Sequence, residues 1–334
     1  MLQQDQLARR LLVMVPTLVA ISAIVFFIIQ LPPGDYLSTM VEELLAQGEK
    51  PDGERIAMLR EQFGLDRTPL EQYLHWAAGL VVGDLGWSFE YNLPVSQVVG
   101  EKLVMSFLLA FAATLLTYAI AFPIGIYSAV RQYSLGDYAL TFVGFIGLAT
   151  PSFLIALVVL HFSNAWFGTP VGGLYDPEYA EAPMGWAKAG SVLSHIWIPI
   201  VIIGLSSTAE MIRQLRANLL DELQRPYVVT GRAKGLAERR LLFKYPLRMA
   251  LNPFIADIGS ILPKLISGSA IVGVVLSLPT NGPMLLRALQ SKDMYLAGSF
   301  LMIEAVLVVL GILVSDIALA LLDPRIRLGA GSEK

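Results

Sequence analysis

Residues 210–253 read EMIRQLRANLLDELQRPYVVTGRAKGLAERRLLFKYPLRMALNP. Nine of the chain's 24 Lys and Arg residues stand here: Arg213, Arg216, Arg225, Arg232, Lys234, Arg239, Arg240, Lys244 and Arg248. Apolar runs of bilayer length flank the stretch, 189–209 before it and 254–276 after it. Its punctuation divides it further. The spacing predicts a helical extension of the preceding span through 219–224, interrupted at Pro226. A short helix follows over 227–234 and ends at Gly235, as helices do at glycine. Another begins over 237–244 and is broken by Pro246. One reading of such a loop is a basic amphipathic surface resting on anionic lipid. Against it stand the rigid breaks and the small residues Gly231, Ala233 and Gly235, which admit close approach of another backbone and which lipid binding does not need.

Working outward, the whole chain has 334 residues, 55% of them hydrophobic and only 15% charged, against about 25% charged in a soluble domain. That composition belongs to a membrane protein. The absence of cysteine excludes disulfides and thiolate metal sites. His75, His161 and His195 are too scattered for a metal motif, and no metal site is expected. No Gly-x-x-x-x-Gly-Lys-Ser/Thr run cradles phosphates, so the chain is expected to bind no cofactor and to draw any ATP energy from elsewhere.

Six membrane spans are expected, at about 11–31, 103–130, 138–167, 189–209, 254–276 and 294–322. The first has 21 uncharged residues, enough helix to cross hydrocarbon about 30 Å thick. Its apolar core is too long for a cleaved signal peptide, so it reads as a retained span. Thr150-Pro151-Ser152 interrupts the third span, where proline bends a helix and neighbours satisfy the freed groups. Residues 32–102 form a long polar loop with twelve acids against five bases. Helical periodicity at Ile56, Leu59 and Phe63, an amphipathic 72–80 and the aromatics Tyr73, Trp76, Trp87, Phe89 and Tyr91 make that loop partly ordered. Residues 278–293 read as a turn-rich loop.

Six spans put both ends of the chain on one side. The positive-inside rule places them in the cytoplasm, because that arrangement puts 15 bases inside and eight outside, with Lys264 in a span. The 210–253 loop and the tails 1–10 and 323–334 are then cytoplasmic, and 32–102 is external.

Tyr227-Val-Val-Thr-Gly-Arg-Ala-Lys-Gly-Leu236, with Glu238-Arg239-Arg240 and Leu247-Arg248-Met-Ala-Leu-Asn-Pro253, closely resembles the coupling loop of permeases in the dipeptide/oligopeptide family of ABC importers. The likeness extends over nearly the whole chain. It includes Arg9-Arg10 with Pro16-Thr17, Pro32-Pro33-Gly34-Asp35, Phe63-Gly64-Leu65-Asp66, Gly83-Asp84-Leu85-Gly86-Trp87-Ser88, Pro151-Ser152-Phe153 and Leu322-Asp323-Pro324-Arg325-Ile326-Arg327. The large first loop is similar to the B-type half of the permease pair. Val229-Thr230-Gly231 stands where many ABC importers have Glu-Ala-Ala, and Leu278-Pro279-Thr280-Asn281-Gly282 where this family usually has Leu-Pro-Gly-x-Gly.

The resemblance implies an all-α type I importer permease of the bacterial inner membrane, with six transmembrane helices and cytoplasmic coupling helices. It implies a second homologous permease subunit, as a heterodimer, two ATPase subunits holding ATP and Mg, and an external binding protein that delivers peptides. Nucleic acid has no place in that assembly, and lipid surrounds it. The same machinery in relatives serves opines, oligosaccharides, glutathione or nickel. The residues implied to meet the ATPase are Tyr227, Thr230, Gly231, Ala233, Lys234, Gly235, Leu236, Glu238 and Arg239.

Charges inside spans are expensive and mark function. Asp257 and Lys264 share a helix face, and Lys264 and Glu304 fall at similar depth, so these two are expected to face the interior and to pair. They would either hold spans five and six together or line the transport path. An ion-coupled carrier acting alone would use the three as a proton relay, but the inverted repeats such carriers show are not evident. An intramembrane enzyme lacks any Ser/His, Asp/Asp or His-Glu-x-x-His arrangement.

Overall fold

The computed structural model describes residues 2–167, 172–179, 182, 185–256 and 270–322. Their elements are α1 (Leu2–Gln30), α2 (Tyr36–Ala46), α3 (Gly53–Gln62), α4 (Pro69–Val82), β1 (Trp87–Ser88), β2 (Leu93–Pro94), α5 (Val95–Val130), α6 (Leu135–Ala149), α7 (Ser152–Phe167) and a 3-10 turn at Pro177–Tyr179. Then come α8 (Trp186–Leu223), α9 (Pro226–Ala233), α10 (Glu238–Lys244), α11 (Pro246–Ala250), α12 (Asn252–Ala256), α13 (Ala270–Val275), α14 (Asn281–Gln290) and α15 (Met294–Leu322).

Four helices are long and apolar enough to cross a membrane among the described residues: Leu12–Gln30, Val95–Val130, Trp186–Leu205 and Met294–Val314. The bent pair Leu135–Ala149 and Ser152–Ser163 adds a fifth crossing if counted as one, with 94° between its halves. The break is sharper than a proline kink. Thr150 precedes Pro151 and is pushed out of the helical region to φ −97 and ψ 117. Its hydroxyl then caps α6 by donating to the Ile146 carbonyl at 2.8 Å, while the Pro151 carbonyl starts α7 by accepting from Leu154 N–H at 2.9 Å. The expected fifth span falls mainly on 257–269, outside the described residues.

The chain divides into two compact units, residues 1–105 with 280–310, and 106–279 with 311–334. In the first, the 32–102 segment is more ordered than its polarity suggests, because its helices are capped by their own side chains. Asp35 and Ser38 form a capping box at α2, and Thr68 and Glu71 form another at α4 with Pro69 in its first turn. Gly83 ends α4 at φ 85. Buried Trp76 packs with Phe26, Met294 and Met302 and donates its indole N–H to Ser299 at 3.1 Å. A cleft of about 550 Å³ opens beside it, lined by Phe63, Arg67, His75, Asp84 and Tyr295 among others.

Two features of this unit depart from expectation. Helix α5 begins at Val95, ahead of the expected start at 103. Most of the turn-rich reading of 278–293 is replaced by α14, whose Pro283 sits in the first turn, where its missing N–H costs nothing.

Asp293 fastens the β-hairpin to the start of α15. Its fully buried carboxylate accepts from Ser88 Oγ at 2.6 Å, from Glu90 N–H at 3.1 Å and from Leu296 N–H at 3.1 Å. Burial pushes this carboxyl up from its ordinary range, against hydrogen bonds that favour the ionised form. Asp293→Ala is expected to destabilise the hairpin by about 1–3 kcal/mol for each donor left unpaired. Chymotrypsin susceptibility at Trp87, Phe89 and Tyr91 measures this, and Asp293→Asn should lose less.

In the second unit α8 is the spine, with α6, α7 and α11 packed along it. Small residues allow close approach. A Cβ on Gly204 would meet Thr117 Oγ1 at 3.2 Å, and one on Gly125 would meet the Leu215 side chain at 3.1 Å. Buried Ala129, Leu215, Leu219, Leu247, Ala250 and Phe254 form one apolar core. That core fixes the short helices after α8 to α8 itself and to α5.

Candidate functional site: the 226–250 helices

Helix α9 starts at Pro226, whose fixed φ suits a first helical position. Its end is a complete Schellman turn. Leu236 N–H donates to Gly231 C=O at 3.2 Å and Gly235 N–H to Arg232 C=O at 2.9 Å, with Gly235 in the left-handed region at φ 75. Arg232 then spans the turn to Glu238, Nε to Oε1 at 2.8 Å and Nη2 to Oε2 at 3.3 Å. The exposed pair adds geometric definition to the turn and only modest energy. Leu241 of α10 is buried and plugs the gap over Gly231. Tyr245, at φ −123 and ψ −78, ends α10, and Pro246 starts α11.

These contacts sort the side chains into two faces. Val228, Gly231, Leu241, Pro246, Leu247 and Ala250 are buried. Exposed are Val229 and Phe243, each 58%, and to a lesser degree Tyr227, Tyr245 and Met249, with the Tyr227 and Tyr245 rings 6.5 Å apart. Large apolar groups left exposed on short, firmly packed helices mark an interaction surface. Tyr227 also donates its hydroxyl to Glu222 Oε2. Partial burial, reinforced by that carboxylate, pushes its phenol above the ordinary range, so it remains a donor at neutral pH.

The residues singled out in the sequence fall on both faces. Tyr227, Thr230, Ala233, Lys234, Gly235, Glu238 and Arg239 are exposed, and Leu236 is half-buried against the turn. Gly231 departs from the expectation that the small residues face a partner. Its open side is filled by its own chain, since an added Cβ would lie 2.5 Å from Leu241 Cδ1. Gly231→Ala is therefore expected to destabilise the α9–α10 packing by about 1–3 kcal/mol. Hydrogen exchange should show faster α10 amides, and an unchanged rate would contradict the packing.

Two groups of this surface were not singled out. Val229 lies inside the family motif and Phe243 outside it, and neither was marked as a contact residue; only the fold shows that they stay exposed. The Arg232–Glu238 clasp had a possible signal in its charge pairing across a glycine turn. Of the intramembrane charges, Asp257 and Lys264 lie outside the described residues, as does the expected pairing of Lys264. Glu304 is half-buried on α15.

The family described as "Binding-protein-dependent transport system inner membrane component" matches residues 121–328. Its companion, "Binding-prot-dependent transport system membrane comp, N-term", matches residues 1–110. The chain is 35% identical over 324 residues to the oligopeptide transport system permease protein AppB of Bacillus subtilis (strain 168), covering 95% of this chain and 98% of that protein. To the dipeptide transport system permease protein DppB of Escherichia coli (strain K12) it is 29% identical, over 96% of this chain and 97% of that one. The peptidoglycan transport system permease protein YejB of Agrobacterium fabrum (strain C58 / ATCC 33970) is 30% identical, over 95% and 96%. With a match over more than half its length, and several apolar helices of membrane-crossing length among the described residues, this chain belongs to the inner membrane component family of binding-protein-dependent transport systems.

Proposed function

We propose that this subunit forms half of a peptide pathway and that its 226–250 helices are the surface on which ATPase subunits act. The observation that carries the reading is the rigid cluster itself. Its inner face is locked to α8 through Leu215, Leu219, Leu247 and Ala250, and its outer face leaves Val229, Phe243 and Tyr227 uncovered. Such a cluster moves as one body when a partner groove closes on it, and α8 carries the displacement toward its apolar part. The bases at the rim set encounter and specificity, while the apolar centre supplies affinity. This chain holds no catalytic centre in the scheme; ATP and Mg belong to the ATPase subunits.

The peptide cargo is supported by relatives named for oligopeptides and dipeptides. A second, homologous permease subunit completes the pathway as a heterodimer, and an external binding protein delivers substrate to it. Both termini and the 226–250 helices lie in the cytoplasm, which the distribution of Lys and Arg supports. Glu304 and Lys264 contribute to the interior of the pathway, as an ion pair or as its lining.

Reconstitution tests the function. Uptake of peptides into proteoliposomes is expected to require the ATPase, ATP and the binding protein together. Uptake by the subunit without an ATPase would overturn the reading. Binding of a peptide panel and a sugar panel to the partner binding protein tests the cargo, and a preference for sugars would replace it.

A further inference from the structure

Helix α6 begins at a short turn after α5, and one residue organises that turn. Asp137 is only 2% exposed. Its Oδ2 accepts from Tyr133 N–H at 2.9 Å, which holds Tyr133 in the left-handed region at φ 63. Ser134 Oγ in turn caps Asp137 N–H at 3.1 Å. Across from it stands Arg216 of α8. Its Nε reaches Oδ1 at 3.1 Å and its Nη2 reaches Oδ2 at 2.9 Å, a bidentate pair fixed in distance and in angle.

The position of Arg216 on α8 matters. Leu215 and Leu219, immediately around it, are the residues on which Leu247 and Ala250 of α11 pack. One short length of α8 therefore carries the docking cluster on one side and α6 on the other. Helix α6 ends at the 94° break to α7. Along the shared face a Cβ added to Gly147 of α6 would sit 3.6 Å from Ala209 Cβ and Leu205 Cγ of α8, so the two helices also approach closely there. The bidentate pair adds a link fixed in distance and in angle.

We infer that the Arg216–Asp137 pair is the link through which motion of the 226–250 helices reaches the broken helix α6–α7, so that Arg216 and Asp137 are positioning residues for transport. The assignment rests on the docking reading above. Displacement of α8 near Leu215 draws Asp137 with it, and α6 follows as a rigid arm that re-aims α7 at the Thr150–Pro151 break.

The test compares Asp137→Asn and Arg216→Gln with the unchanged subunit in the fully assembled transporter in proteoliposomes. Asp137→Asn preserves side-chain shape, Arg216→Gln shortens the side chain and removes the fork, and each removes one charge. ATP hydrolysis and peptide uptake are read together, and co-purification of the ATPase is measured separately. The link predicts that both variants keep the ATPase and hydrolyse ATP, while uptake per ATP falls roughly tenfold, within the range of coupling between sites. Arg216→Lys, which keeps charge but loses the fork, should fall between. Uptake per ATP at the unchanged level in both variants overturns the link. Loss of subunit assembly in both also overturns it, because the pair is then a fold determinant only. Failure of the docking reading looks different: the unchanged subunit itself would transport without an ATPase.

Discussion

Replacing Gly235 with Trp is expected to abolish ATP-driven uptake while leaving the subunit inserted in the membrane. Gly235 holds φ 75, and an added Cβ there meets nothing within 4 Å. An indole would thus strike no part of its own chain and would project from the exposed face of the Schellman turn. Any L-residue pays backbone strain of about 1–2 kcal/mol at such a φ, and the Leu236–Gly231 hydrogen bond and the Leu241 contact hold the turn against it. Gly235→Ala carries that strain without the bulk, which separates the two effects. The Ala variant should retain most uptake. The Trp variant should lose the ATPase or hydrolyse ATP without uptake, read from membrane fractionation, co-purification and proteoliposome transport. Normal uptake by Gly235→Trp would count directly against the docking surface.

The second large effect is expected at the apolar centre of that face. Phe243→Asp and Val229→Asp replace groups already 58% exposed, so folding should change little. A central contact in a desolvated patch costs about 2 kcal/mol or more when lost, which is roughly thirtyfold in affinity. Binding of the purified ATPase to detergent-solubilised subunit measures it, and unchanged affinity would remove these residues from the interface. Arg239→Ala, at the rim, should instead alter association rate and salt dependence.

The division of 210–253 into short helices was legible because proline and glycine act locally. Pro226, Gly235 and Pro246 each impose their backbone consequence whatever surrounds them. The same locality explains what was misread. Around 278–293, Pro279 and Asn281-Gly282-Pro283 look like turn residues, yet a proline in a first turn is compatible with α14. Asp35 with Ser38 was a readable cap for α2, hidden by the preceding Pro32-Pro33-Gly34. The rest was illegible for a physical reason: it depends on tertiary approach. Gly231 finds Leu241 within its own chain, Asp137 finds Arg216 79 residues later, and Ser88 finds Asp293 205 residues later. No local pattern encodes those meetings. The family motif marked the segment proposed to dock, but not which of its residues turn inward.

The central claim is that the exposed face of the 226–250 helices meets an ATPase. Because the chain has no cysteine, Lys234→Cys places a single thiol on that face, and Trp186→Cys places one on a residue 96% exposed at the start of α8. A short thiol-to-amine cross-linker applied to the assembled transporter is expected to join position 234 to the ATPase subunit, with a yield that changes on adding ATP, and to leave position 186 unjoined to it. Equal cross-linking from both positions, or none from position 234 in a transporter that still moves peptide, would contradict the account.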